Sequence, residues 1–390
     1  MQDEVERGVH PEPDWAALRA RFPVFENKTY INSCSYGALA VEVQAAVQRY
    51  LQDRLEQGCD WNYWVERNES ARGAMARLLG AKPDEIAVTT SASAGINAIA
   101  SALRFDEGRR KIVISDYEFP TDAQIWYAQE LRGAEVVRVP EKDGYIPAES
   151  FADAIDEQTK IVAVAQVCFR NGARLDIPAI AKLARERGAL MMVDGYQGFG
   201  TMPFDVRAAN VDFAVGGCVK YLLGTAGVGF LYARDELIES LVPTVTGWFA
   251  QEDIFAMDTT RYNPAHSARR FEAGTPPVVN IYAAIAGLDI VDEVGLPAIQ
   301  RRIGGLTDQI KTRAREAGYT VVTPTDPGRH GAMIAIRSHD APALVARLAE
   351  QDIVTSDRDN NLRVSPHFYN NEQDIERLFE VLHGQRDLLA

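Results

Sequence analysis

Apolar residues along this chain gather into short, unbroken runs: "EIAVTT" (85–90), "KIVIS" (111–115), "EVVRV" (135–139), "KIVAVAQV" (160–167), "ALMMVD" (189–194), "VDFAVGG" (211–217) and "VGFLYA" (228–233). A strand with one face in water alternates apolar and polar positions. Most of these runs are continuous and β-branched, the pattern of strands covered on both faces. The stretches between them have helical spacing. In "DIPAIAKLARERG", Asp176 can cap the N-terminus and Pro178 suits the first turn. Ile177, Ile180, Leu183 and Ala184 share one face, and Gly188 can end the helix. Strand–helix–strand alternation predicts an α/β fold built on a seven-stranded, mainly parallel sheet.

After about residue 266 the pattern changes. "NIYAAIAGLDIVDEVG" and "PAIQRRIGGLTDQIKTRAREAG" read as amphipathic helices. "MIAIRS" and "LRVSPHFYN" read as short strands flanking the helix "APALVARLAEQD". This predicts a smaller α+β C-terminal domain over 266–390, following a large domain over 30–265. Segment 12–29, with Trp15, Leu18 and Phe22 in "WAALRARFPVF", is expected to pack on the small domain. Residues 1–11 are expected to form a disordered tail.

Composition narrows the possible functions. A length of 390 residues suits about two domains, and 46% hydrophobic with 25% charged residues is ordinary for a soluble enzyme. The net charge of -14, with no Lys/Arg cluster, argues against a nucleic-acid partner. No apolar run reaches membrane-spanning length, and the acidic start "MQDEVERGVHPEPDW" has no apolar export region. Cys34, Cys59, Cys168 and Cys218 are scattered, without CxxC or zinc-ligand spacing, and the six histidines are dispersed. The reading is reduced thiols, a cytoplasmic protein and no metal.

In an open parallel sheet, ligands bind beyond the carboxyl ends of the strands. After 85–90 comes a run of tiny residues, Ser91 to Gly95, that opens a helix. Ala92 and Ser93 belong either to a tight strand–helix turn or to a phosphate cradle of backbone amides. After 111–115, Phe119 is either packing or a plate for a planar ligand. Asp194 closes a wholly apolar strand, where an unpaired carboxylate is costly, and Gln197 follows three residues on. Lys220 follows strand 211–217 in "GGCVKYLLG"; it either snorkels to solvent or is functional. One group satisfies all of these together, pyridoxal phosphate (PLP). Its phosphate takes the helix N-terminus, its ring stacks on Phe119, its aldehyde forms a Schiff base with Lys220, and its pyridinium nitrogen is the cation that Asp194 lacks.

From about Tyr30 to Leu382 the chain resembles a fold-type I PLP-dependent enzyme of the class V aminotransferase group. That group includes cysteine desulfurases, cystine C–S lyases, isopenicillin-N epimerase and kynureninases. "MMVDGYQGFGTMPFDV" is similar to the group's V-D-x-x-Q segment and "CVKYLLGTAGVGFLY" to its lysine segment. "RFEAGTP" resembles the loop that enters the neighbouring subunit's site, and "LRVSPHFYN" the segment with the carboxylate-gripping arginine. The resemblance implies that Asp194 pairs the pyridine nitrogen, Gln197 bonds the ring hydroxyl oxygen and Lys220 is the catalytic Schiff-base lysine. It implies that Ala92 and Ser93 hold the phosphate with help from the partner subunit's Thr275. Arg363 and Asn32 would bind the substrate, and Trp248 of "GWF" (247–249) would stand near the partner's cofactor. A homodimer with a shared active site follows. It would act on a small-molecule amino acid through an external aldimine and a Cα carbanion.

Departures from the group shape the expected reaction. Phe119 stands where desulfurases have histidine, and Val219 and Gly217 where they place histidine and serine. "IVTSDRDNNLR" holds no catalytic cysteine; the nearest thiols by sequence, Cys168 and Cys218, fall in other segments. This points to an aminotransferase or a β-eliminating C–S lyase rather than a persulfide-forming desulfurase. "FPTD" (119–122) and "GWF" resemble kynureninases, which tend to have histidine where Gln197 stands. A kynureninase-like hydrolase or an epimerase is therefore the alternative. Trp61, Tyr63 and Trp64 either line a substrate entrance or pack a helix. A nucleotide-binding module is rejected, because "GTAGVG" (224–229) precedes a strand instead of joining a strand to a helix. The rival of another class is a catalytically inactive binding protein of the same fold. The presence of Lys220, Asp194 and Arg363 together argues against it.

Overall fold

All seven apolar runs are strands of one sheet in the computed structural model, which describes residues 12–390. The tail expected at 1–11 lies outside the described residues. The chain begins with α1 (Trp15–Arg19), β1 (Thr29–Tyr30), α2 (Val41–Gln57) and α3 (Trp61–Leu79). The sheet region follows as β2 (Ile86–Thr89), α4 (Ala92–Ala102), β3 (Lys111–Ser115), α5 (Pro120–Ala128), β4 (Glu135–Val139), β5 (Thr159–Ala165), α6 (Ile177–Glu186), β6 (Leu190–Asp194), β7 (Phe213–Gly217), β8 (Gly229–Ala233) and α7 (Asp235–Ile238). Next come α8 (Val278–Val294), α9 (Leu296–Glu316), β9 (Ile334–Arg337), α10 (Ala341–Ala349), β10 (Ile353–Val354), β11 (Ser356–Arg358), β12 (Asn361–Val364) and α11 (Glu372–His383).

The large sheet has the order β2-β8-β7-β6-β5-β3-β4. Only β8 runs against its neighbours; the other pairs are parallel. Successive residues of a strand point to opposite faces. Val113, Val162, Val164, Met191 and Val193 therefore pack on one face with residues of α3, α6 and α8. Ile112, Ile114, Ile161, Ala163 and Met192 pack on the other with α4 and Trp126 of α5. Two covered faces leave no position for water, which is why the runs do not alternate. α6 carries its expected caps: Asp176 accepts from the Ala179 amide at 3.1 Å, and Gly188 turns with φ +65°.

Beyond the sheet, β11-β12-β9 form a three-stranded antiparallel sheet. Ile336 and Leu362 from it share a core with Ile310 of α9, Leu344 of α10 and Leu378 of α11. α11 was not foreseen, although "NEQD" encodes its start. Asn371 and Asp374 each accept the other's backbone N–H at 3.1 Å, a capping box. α8 follows the 265/266 division read from the sequence, yet it carries Ile281, Ala284 and Leu288 into the core beneath the large sheet. Segment 12–29 packs Leu18 and Phe22 against Phe368, Tyr369, Ile299 and Ile303. Arg19 bonds Asp374 of α11 at 2.7 Å, and β1 pairs with β10. Among the described residues, no helix is long and apolar enough to cross a membrane.

Candidate active site

Strand ends and helix starts meet at a cavity of about 260 Å³ beyond the carboxyl edge of the large sheet. Six residues singled out in the sequence line it together: Ala92, Ser93, Phe119, Asp194, Gln197 and Lys220. Wider clefts exist, including one of about 630 Å³ beside Arg174 and Arg329, but Lys220 and Asp194 do not line them.

Glycine on β8 sets one wall. A Cβ on Gly229 would lie 2.4 Å from the Ser91 carbonyl carbon and 2.7 Å from the Ala92 nitrogen, so only glycine lets the β2–α4 turn approach. Ser91 caps α4 by accepting from the Ala94 amide at 3.1 Å. The first amides of a helix have no intrahelical partner, and Ala92 and Ser93 are too small to cover them. Thr121 adds a hydroxyl 3.4 Å from Ser93 Oγ. The sequence reading did not use Thr121, although it lies in the quoted "FPTD".

Lys220 follows β7 and is enclosed. Its Nζ lies 4.4 Å from the Tyr196 ring centroid and 5.7 Å from that of Phe119. Gly217 leaves room for Tyr196, whose hydroxyl oxygen would be 2.4 Å from a Cβ there. Gly37 allows the segment after β1 to cross over the Lys220 carbonyl, 2.3 Å from where its Cβ would stand. Burial lowers the Lys220 pKa, and the Arg363 charge adds to this against the opposing pull of Cys34 and Asp194. Phe119 stands at the cap position just before α5 and meets Phe169 edge to face at 5.1 Å.

Asp194 is buried and accepts the Tyr196 N–H at 2.8 Å. Its unforeseen neighbours are two further buried carboxyls, Asp122 and Glu118. Asp122 lines the same cavity as Asp194. Burial raises the pKa of all three, and the Asp194 charge pushes Asp122 up further. Both acids lie in the quoted "DYEFPTD", where only Phe119 was weighed. The available signal was two acids flanking the helix-starting Pro120. Gln197 reaches the cavity, and its Nε2 donates to the Cys34 carbonyl at 3.0 Å.

Arg363 on β12 approaches from the other side. Nη1 donates to the Phe169 carbonyl at 2.9 Å; Nη2 donates to Ser35 Oγ at 3.1 Å and Ser356 Oγ at 3.0 Å. It is 4% exposed, its Nε has no partner, and no carboxylate pairs with it among the described residues. Asn32 joins this group by accepting from Ser356 Oγ at 2.8 Å. The structure also corrects the search for thiols. The nearest by sequence are Cys168 and Cys218, but Cys34 is the thiol at this end of the site. Its Sγ lies 3.9 Å from Asn32 Oδ1 and from Ser356 Oγ. The pairing of β1 with β10 carries it there.

Four singled-out residues do not line this cavity: Arg363 and Asn32, grouped with Ser35 and Ser356, and Thr275 and Trp248. Thr275 is exposed in a loop whose start is tied down by the buried Arg72–Glu272 ion pair at 2.6 Å. Trp248 packs its ring 5.2 Å from Trp61 and donates to the Ile254 carbonyl. Trp64 is buried beside Trp61 at 5.3 Å, as helix packing requires.

An open helix N-terminus, an aromatic side chain, a buried carboxylate and an enclosed lysine meet at one sheet edge, the parts a PLP-dependent enzyme of fold-type I needs. The family profile "Aminotransferase class-V" matches residues 61–378, and the chain belongs to that family. It is 34% identical over 364 residues to the uncharacterized aminotransferase YcbU of Bacillus subtilis strain 168, covering 93% of this chain and 96% of that one. It is 28% identical over 355 residues to a kynureninase of Pseudomonas fluorescens, covering 87% and 84%. The apo cysteine desulfurase of Thermococcus onnurineus NA1 has the same fold: TM-score 0.86 at 23% identity, over 95% of this chain and 97% of that one. The expected cofactor, pyridoxal 5'-phosphate, and the expected enzyme class both stand.

Proposed function

We propose that this enzyme processes an α-amino acid as an aminotransferase or a β-eliminating C–S lyase, and does not form a protein persulfide. Arg363 carries the proposal. A buried guanidinium without a counter-ion is costly, and a substrate α-carboxylate is the partner it lacks. The cofactor phosphate falls to Ala92, Ser93 and Thr121, the ring to Phe119, its nitrogen to Asp194 and its hydroxyl oxygen to Gln197. When bound, PLP supplies a carbonyl for amine capture and a ring that withdraws electrons from Cα. Lys220, its pKa lowered, offers a neutral amine as nucleophile and then takes the proton from substrate Cα. Arg363 fixes the carboxylate so that this Cα–H faces Lys220 Nζ. Thr275, exposed and absent from its own cavity wall, serves a second copy in a homodimer, and Trp248 stands near the partner's cofactor.

Two observations support excluding persulfide chemistry. The β11–β12 hairpin before Arg363 has no cysteine, and Cys34 is 1% exposed among hydroxyls. A kynureninase-like hydrolase is the second reading, favoured by Asp122 and Phe119 together in "FPTD". The test is the visible spectrum of the purified protein with a panel of amino acids, read with the products. A keto acid with the pyridoxamine form of the cofactor marks an aminotransferase; pyruvate with a thiol marks a lyase. Alanine with an aryl acid marks the hydrolase. A persulfide on Cys34 would overturn the exclusion.

Arg363→Ala should raise KM for the amino acid about 30- to 1000-fold, the loss of about 2–4 kcal/mol for a desolvated charge pair, with a smaller change in kcat. An unchanged KM would show that the substrate carboxylate is gripped elsewhere.

A further inference from the structure

Three carboxyls stand together behind the pocket wall. Glu118 lies in the turn after β3, Asp122 in the first turn of α5, and Asp194 at the end of β6; they are 7%, 5% and 9% exposed. Among the described residues, Lys220 is the one lysine or arginine that lines this cavity. Three carboxylates in a water-poor wall beside one amine are not sustainable, so the cluster keeps protons. The hydrogen bonds show where. Asp194 accepts the Tyr196 amide, which favours its anion, and its charge pushes the buried Asp122 carboxyl towards the protonated form. Glu118 Oε1 accepts the Ser115 amide at 3.1 Å and the Ser115 hydroxyl at 2.5 Å. Glu118 Oε2 is fully buried and receives no donor. An unpaired anionic oxygen buried there costs more than an unpaired neutral hydroxyl.

We propose that Glu118 is a positioning residue: it stays a neutral acid beside Asp122 and Asp194 and so reserves for Asp194 the single negative charge facing Lys220 and the PLP ring nitrogen. This rests on the cofactor placement proposed above. The groups facing Glu118 pull both ways: Ser115 of β3 and the β5 backbone at Ala165 favour its anion, while burial and the charge of Asp194 on β6, with Asp122 of α5 close to that charge, oppose it. Burial first, then the Asp194 charge, pushes the Glu118 carboxyl up to about 8.

The sign of the pH effect follows. The folded protein keeps a proton that the unfolded chain releases near the ordinary value of 4.5, so the stability tied to Glu118 declines as pH rises towards about 8. Glu118→Gln keeps the neutral shape at every pH and removes this decline. Melting of the protein as purified, from pH 5.5 to 8.5, should show Glu118→Gln gaining roughly 5 °C on the wild type across that range. The visible band of the holoprotein should show a step near pH 8 that is missing in Glu118→Gln. Should that variant not fold, Ser115→Ala serves: without the hydroxyl that favours the anion, the step moves to higher pH. Parallel melting curves for wild type and Glu118→Gln, or a step unmoved in Ser115→Ala, would overturn the assignment. Protein that shows no visible band after PLP is added sinks the cofactor placement instead, and the melting curves still decide whether Glu118 holds its proton.

Discussion

Lys220→Ala is expected to lower turnover about ten-thousand-fold or more and to abolish the yellow colour of the lysine-bound cofactor. The expectation comes from position. Nζ is enclosed by Tyr196 and Phe119, at 4.4 and 5.7 Å from their ring centroids. Burial lowers its pKa, with Arg363 adding to the effect, so more of the amine is neutral than on a surface lysine. Alanine removes both the nucleophile and the base. General acid–base catalysis alone is worth about 10²–10⁴-fold, and a ten-thousand-fold loss is about 5 kcal/mol on the barrier. Single-turnover rates with whichever amino acid shifts the spectrum measure it, and a small added amine should restore part of the rate. Turnover within tenfold of the wild type would remove Lys220 from the chemistry. An inactive binding protein would behave differently, turning over nothing in either form and keeping its ligand in the variant.

For Asp194→Ala the expected loss is about 100- to 1000-fold in kcat, together with weaker cofactor retention. Removing one partner of a buried charge pair costs about 3–5 kcal/mol, part of which falls on binding and part on the developing charge at Cα. The neighbouring acid modifies this. Burial and then the Asp194 charge raise the Asp122 pKa. Without Asp194, Asp122 ionises more readily and takes over part of the role. The variant lacking both acids should therefore lose more than the product of the two single losses. Near-normal kcat in the double variant would place the ring nitrogen elsewhere. A product of single effects that accounts for the double variant would mean the two acids act separately.

Much of this was legible before any coordinates. The seven strands announced themselves because a strand covered on both faces has no position for a polar residue. Asp194 and Lys220 were visible for the complementary reason: a charge that closes such a run needs a partner. The small-residue turn at Ser91 to Gly95 was legible as a place where backbone, not side chain, must meet a ligand. Other members of the site were not. Asp122 and Glu118 read as ordinary acids of a loop, and only the turn after β3 points them inwards to Asp194. Cys34 and Asn32 lie far from Arg363 in sequence, and the pairing of β1 with β10 brings them to it.

Periodicity is local, so the sequence by itself determined which segments are strands, which helices start over small residues, and which charged groups terminate apolar runs. The tertiary structure alone decided which of those charges became neighbours. Long-range packing sets who faces whom and how much water remains between them. The packing itself leaves Arg363 without a counter-ion among the described residues, and the low local dielectric lowers Lys220 and pushes the Glu118 and Asp122 carboxyls up beside the Asp194 charge.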